Sequence, residues 1–436
     1  MSMLKIRDQS DLELMHMIEE RYGTDNLLKY PSGVWVFNGS IWALLSDAEL
    51  KATAMQVLAE KVDKVMNNRV ASATALFKYY NFDKEERFEL GPSNIIVMKD
   101  GYYSLENQKW KKAPPKKELH RRIQIDATYT ESEPEQFNKF LDDILCDVNA
   151  NPLQDAEQMR DLIWEMLGYC LVTHTRFEQC FILCGQGANG KSVLGSLAKE
   201  MVGRKLTASV QPSKMGNVFQ RSNLEGKLLN LVTELNQNEE LEDGLLKAIV
   251  SGEMMSVERK FQDVREIEPF AKHIILTNHM PRIRDYSDGL FRRISIINLQ
   301  RQFMGSSADP YLLDKLKGEM DAITSRALDA LQRLIEGNGK FTQPESSHNA
   351  KLKWKADNNH VEQFISDCLY PLPNNQVGVQ DMYDAYIEWF KTTGLRGQLG
   401  RKQFVYRMEA LGIEKTTRNS GGYSFKEVEL RLALKV

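Results

Sequence analysis

The chain has 436 residues, 42% hydrophobic and 27% charged, and its 57 Lys and Arg nearly balance 60 Asp and Glu to leave a formal charge of -3. That length implies about two to four domains, while the absence of any apolar run near ~18 residues excludes an obvious membrane-crossing helix. The opening MSMLKIRDQSDLELM has no apolar stretch followed by a small-residue cleavage site, so a reducing, cytoplasmic setting with no membrane partner is expected, and local basic clusters matter more than total charge.

Residues 1–133 read as an α+β module. The helical start DLELMHMIEERYG precedes two aromatic hairpin segments, VWVFNGSIWAL and NIIVMKDGYYSL, broken at Asn-Gly and Asp-Gly. The segment KWKKAPPKKELHRR (109–122) has seven Lys/Arg against one Glu, plus two prolines. It predicts an extended, exposed linker, with a nucleic-acid contact as the alternative.

Between 134 and 178, Phe137, Phe140, Leu141 and Ile144, then Leu162, Ile163, Met166, Leu167 and Leu171, recur at three- and four-residue spacing. These stripes predict helices, packed in a core or forming a collar between subunits. The five cysteines, Cys146, Cys170, Cys180, Cys184 and Cys368, form no CxxC pair and there is no histidine pair at zinc spacing, so they read as buried thiols.

Residues 179–342 alternate apolar strands (CFILCG, LLNLVTE, HIILTN, RISIIN) with helices, the pattern of an α/β sheet. Gly185-Gln186-Gly187-Ala188-Asn189-Gly190-Lys191-Ser192 satisfies G-x-x-x-x-G-K-[ST] between an apolar strand and a helix. Its glycines let the backbone wrap phosphates, so Gly185, Gly187, Ala188, Asn189, Gly190, Lys191, Ser192 and Val193 are the candidate ATP-binding residues. Lys191 would pair with the β- and γ-phosphates and Ser192 would ligate Mg²⁺.

Glu234 ends the apolar strand LLNLVTE, where it would orient water, hold magnesium indirectly, or both; Thr233 stands where a second acid is usual. Asn278 ends the strand HIILTN and suits a water-holding sensor beside the γ-phosphate. A loop with Asp285, Asp288 and Gly289 leads to Arg292 and Arg293, a pair suited to an arginine finger reaching a neighbouring subunit's site.

These stretches, together with LLKAIVSGEMMSVERKFQD and DMYDAYIEWFKTTG, resemble the superfamily 3 helicases, in the branch of phage and plasmid primase-helicases and poxvirus-type helicase-primases. The resemblance implies an AAA+-like ATPase core that assembles as a ring, usually a hexamer, and translocates on single-stranded or forked DNA. It assigns Lys191 and Ser192 to the phosphate loop, Glu234 to the second-motif acid, Asn278 to the sensor, and Arg292 or Arg293 to the finger. It also implies a hairpin projecting into the channel, with Lys247 ahead of it and Arg259, Lys260 and Phe261 on it; a cation beside an aromatic suits a single strand. Glu253 stands where the family commonly has Asp.

Residues 343–436 read as a linker and small domain, within which 360–436 give three helices and a strand pair, the order of a winged helix. Arg401, Lys402 and Arg407 on the third helix and Arg418 in the wing are candidates for duplex contact, although many winged helices bind proteins. The first ~130 residues show no zinc cluster and are short for a catalytic domain. The expectation is therefore a helicase working with a separately encoded primase or origin-binding protein. An ATP-switched initiator that melts an origin and a small-molecule phosphotransferase remain the alternatives.

Overall fold

The computed structural model describes residues 10–60, 65–84, 95–235, 241–260, 263–283, 288–393, 398–417 and 421–431. At its centre lie five parallel strands, in chain order Cys180–Cys184, Thr207–Ala208, Leu229–Val232, Lys272–Thr277 and Ile294–Asn298. Their spatial order is fifth, first, fourth, third, second. The mixed α/β class expected from the sequence is borne out. The strands read as continuous apolar runs because both sheet faces are covered: Phe181 and Leu183 enter one core layer, Cys180 and Ile182 the other.

The first layer holds the helix Lys191–Val202 and the helices Glu135–Ile144, Ala156–Tyr169 and Met320–Glu336. All nine stripe residues predicted between 134 and 178 are buried here, none more than 4% exposed. Each contributes about 1.5–3 kcal/mol by leaving water. These side chains are taken up inside their own chain.

The opposite layer is formed by the helices Asp243–Ser251, Asp288–Phe291 and Glu345–Asn358. Trp354, 2% exposed, closes it. Its indole Nε1 donates to the Pro281 carbonyl at 2.8 Å, and its ring meets Phe291 edge-on at 5.4 Å.

The amino-terminal region forms two small sheets. Leu27–Tyr30, Gly33–Phe37 and Trp42–Leu44 make an antiparallel meander packed with three helices. Ile95–Met98 and Gly101–Ser104 form the second predicted hairpin, extended by Lys109–Lys111 and Gln124–Ile125. The basic segment 109–122 is largely exposed, as expected, but it is tied down rather than a free linker. The Trp42 indole donates to the Lys117 carbonyl (2.9 Å) and the Trp42 amide to that of Arg121 (2.7 Å), with Arg121 only 6% exposed. The segment ties the two sheets together.

The last unit contains the helices His360–Cys368, Val379–Thr393 and Arg401–Ala410, with a three-stranded antiparallel sheet of Leu369–Gly378, Tyr423–Leu430 and Lys415–Thr417. The strand Leu369–Gly378, between the first two helices, was not expected. Among the described residues no helix is long and apolar enough to cross a membrane.

Candidate functional site

The phosphate loop leaves the first strand at Cys184. Gly187, Ala188 and Gly190 take φ of +94°, +49° and +86°. Such a run of left-handed residues is the conformation in which backbone amides converge on an anion. The helix Lys191–Val202 begins at once, so its positive dipole end faces the same place. Around the loop, the Phe303 amide donates to the Ala188 carbonyl (2.7 Å) and Gln302 Nε2 to that of Gly187 (3.2 Å). Asn189, 1% exposed, donates to the Leu299 carbonyl at 3.0 Å.

Lys191 is 7% exposed, and its ammonium donates to the Gly185 carbonyl (3.0 Å) and Asn189 Oδ1 (3.3 Å). Burial pushes its pKa below the ordinary lysine range. Both partners are neutral oxygens, so the positive charge is solvated inside the loop without being cancelled by them, which favours an incoming anion. Ser192 is exposed in the helix's first turn and Val193 is half-buried.

Sheet register brings the other candidates to this edge. Val232 pairs with Ile275, and Thr277 pairs with Cys184. Glu234, two residues past Val232, and Asn278, one past Thr277, therefore emerge level with the start of the phosphate loop. Both side chains are exposed. The Thr277 hydroxyl bonds both the amide and the carbonyl of His279, a tight turn that sets Asn278 at the strand's end. Asp285 lies outside the described residues.

Beside the loop is a cavity of about 380 Å³ that sequence reasoning missed. Phe140, Val193, Phe303 and Leu312 supply apolar wall, and Gln136 and Lys139 are among its polar groups. A Cβ at Gly190 would lie 2.6 Å from Ile144 Cγ2 and 3.1 Å from the Phe140 ring, which shows how closely the helix Glu135–Ile144 seats on the loop. Phe140 was legible as part of a stripe, but periodicity cannot distinguish a pocket wall from core.

The two arginines occupy different environments at the opposite edge of the sheet. The Arg293 carbonyl accepts from the Cys180 amide at the start of the first strand. At about 3.3 Å per residue, that strand separates it from the phosphate loop by more than ~13 Å. Arg293 is 13% exposed; it pairs with Glu178 at 2.8 Å and donates to Ser251 Oγ (3.1 Å) and the Gly289 carbonyl (2.7 Å). Arg292 is 66% exposed and only 3.8 Å from Glu178. Arg292 is therefore the one presented outward.

The expected hairpin is present. Met255–Val257 pairs antiparallel with Arg265–Ile267. Arg259 and Lys260 follow its first strand, Lys260 exposed and Arg259 paired with Glu225 at 3.0 Å, a carboxylate that also holds Arg265. Lys247 is half-buried on the preceding helix, and Phe261 lies outside the described residues.

In the last unit, Arg401 and Lys402 line a groove of about 610 Å³ between the helix Arg401–Ala410 and the strands Lys415–Thr417 and Tyr423–Leu430, with Lys415, Tyr406 and Tyr423. Asp381 and Glu409 share it, so the groove is mixed in charge. Arg407 is half-buried on the same helix and is not among the groove's walls; Arg418 lies outside the described residues.

Residues 183–293 match a family described as "Family of unknown function (DUF5906)". The chain is similar to a protein of Acanthamoeba polyphaga mimivirus named as a putative helicase, 24% identical over 267 residues, covering 55% of this chain and 28% of that protein. A protein of Invertebrate iridescent virus 3, also named as a putative helicase, is 22% identical over 368 residues, covering 75% of this chain and 38% of that protein. The chain thus spans well under half the length of these relatives. Two structures of the C-terminal region of NrS-1 share the fold, with TM-scores of 0.52 and 0.50 at 12% and 11% identity, covering 97% and 95% of this chain and 100% and 99% of those chains. The resemblance to superfamily 3 helicases is borne out in this sense: the chain is a relative of proteins named as putative helicases in large DNA viruses.

Proposed function

We propose that this chain is the motor of an ATP-dependent DNA helicase, working as a homo-oligomeric ring, of hexamer type, on single-stranded DNA during replication of a virus, phage, plasmid or similar mobile element. One observation carries the reading: a single sheet presents the phosphate loop, Glu234 and Asn278 at one edge and the outward Arg292 at the other. An arginine that cannot reach its own nucleotide site is suited to a neighbour's, and that relation closes a ring. The strand order supports an AAA+-like core.

In this reading ATP lays its phosphates in the loop, where Lys191 meets the β- and γ-phosphates. Its base occupies the cavity walled by Phe140 and Phe303. Ser192 and Glu234 offer the hydroxyl and carboxylate oxygens that Mg²⁺ takes, and the ion would neutralise phosphate charge. Glu234 orients the attacking water, Asn278 holds it in line, and Arg292 of a neighbouring copy stabilises the developing charge. Lys260 and Arg259 on the hairpin track the strand's phosphates, and the groove at Arg401 and Lys402 meets the duplex at a fork. A separately encoded primase or origin-binding protein is the anticipated partner.

The test is steady-state ATP hydrolysis with and without single-stranded DNA. The wild type should be stimulated, and Lys191→Ala should lose about 100-fold or more, the scale for one transition-state contact. Hydrolysis indifferent to DNA would instead point to phosphotransfer to a small molecule.

A further inference from the structure

At the finger edge of the sheet, one guanidinium joins three parts of the chain. Arg293 holds Glu178, in the segment entering the first strand; Ser251 Oγ, at the end of the helix Asp243–Ser251; and the Gly289 carbonyl, in its own short helix. The Ser251 carbonyl in turn accepts from the Thr175 hydroxyl at 3.1 Å. The helix then ends at Gly252, with φ of +72°, where a Cβ would lie 2.2 Å from Thr175 Oγ1. Three residues later the hairpin's first strand begins at Met255. The hairpin's root is thereby fastened to the residue next to Arg292.

We propose that Arg293 is a positioning residue which couples Arg292 to the hairpin, so that engagement of a neighbour's nucleotide by Arg292 is passed through Arg293 and Ser251 to the DNA-tracking element. The inference rests on the roles given above to Arg292 and the hairpin. Its physical basis is the division of labour on one carboxylate. Glu178 sits 3.8 Å from the exposed Arg292 and 2.8 Å from the shielded Arg293. The long, solvated pair is weak and easily released, whereas the short one, with its planar fork also bonded to Ser251 and Gly289, is held. Arg292 is free to leave for a phosphate while Arg293 keeps the joint closed. A backbone shift at Arg292 reaches Ser251 within one residue.

The decisive variant is Ser251→Ala, which removes one hydroxyl and touches neither the nucleotide loop nor the hairpin's cations. It should keep its oligomeric state, its DNA-free ATP hydrolysis and its affinity for single-stranded DNA. Stimulation of hydrolysis by that DNA should fall about fivefold or more, the lower end of measured site-to-site coupling. Ser251→Thr, which retains the hydroxyl, should restore it. Arg293→Lys should lose stimulation, whereas Arg292→Lys should lower hydrolysis with and without DNA alike. Wild-type stimulation in Ser251→Ala would overturn the coupling and leave the helicase reading standing. A wild type that DNA does not stimulate would overturn that reading and the coupling with it.

Discussion

Asn189 reaches from the phosphate loop to the carbonyl of Leu299, just past the fifth strand, and its Nδ2 lies where a Cβ on Gly185 would come within 1.6 Å. The loop is thus laced to the edge strand through a space only glycine leaves open. Gly185→Ala should displace Asn189 and press on the Leu299 backbone, costing about 1–3 kcal/mol as overpacking does, and weaken ATP binding. Gly187→Ala meets nothing within 4 Å but must hold φ near +94°, which costs about 1–2 kcal/mol. Thermal melting and calorimetric titration with ATP separate the two. A Gly185→Ala protein that melts and binds like the wild type would refute the lacing.

Arg292→Ala and Lys191→Ala should each be inactive alone. Mixed before assembly, they should recover part of the hydrolysis, because some interfaces then pair an intact loop with an intact Arg292. Recovery on mixing is the readout; its absence would place Arg292 outside the neighbour's site.

Phe303→Ala should weaken ATP binding by about 10-fold or more, the effect of losing an aromatic wall worth ~1.5–3 kcal/mol. Competition by inorganic tripolyphosphate, which has no base, should be unchanged. Equal losses for both ligands would show that Phe303 supports the loop rather than the base.

His273 is 1% exposed in the fourth strand, its Nδ1 3.1 Å from Asn230 Nδ2, which also donates to the Val210 carbonyl. Burial, with Lys272 beside it, pushes its pKa from 6.5 to about 4. Below pH 6.5 the unfolded chain takes up a proton that the folded one refuses, so stability falls as pH drops through 6.5 and stops falling near 4. The loss should reach about 2 kcal/mol by pH 5. Melting between pH 7 and 5 measures it, and His273→Gln should reduce the slope by roughly half, because burial also pushes His174 down, to about 3, and it adds in the same direction.

What the sequence made legible was local. The glycine-rich turn at 185–190 declares itself through spacing, and the central strands through apolar runs long enough to be buried on both faces. What it hid depends on distant contacts. The strand Leu369–Gly378 contains Pro371 and Pro373, which argue against a strand; it survives as an edge strand, with its register shifting between Pro371 and Gln376. The anchoring of the largely exposed basic segment 109–122 was hidden because its anchor, Trp42, lies 75 residues from Lys117. Adjacent arginines looked equivalent until Glu178 and Ser251 claimed one of them.

Trp354 carries a further consequence. By donating to Pro281 and packing on Phe291, it clamps the helix Glu345–Asn358 to the loop that follows Asn278 and to the short helix ahead of the arginines. That helix packs on the central sheet, although its sequence falls beyond position 343, where composition alone suggests a linker to a last domain. A chain cut at 342 would lose that helix and Trp354 with it, bare an oily face and aggregate.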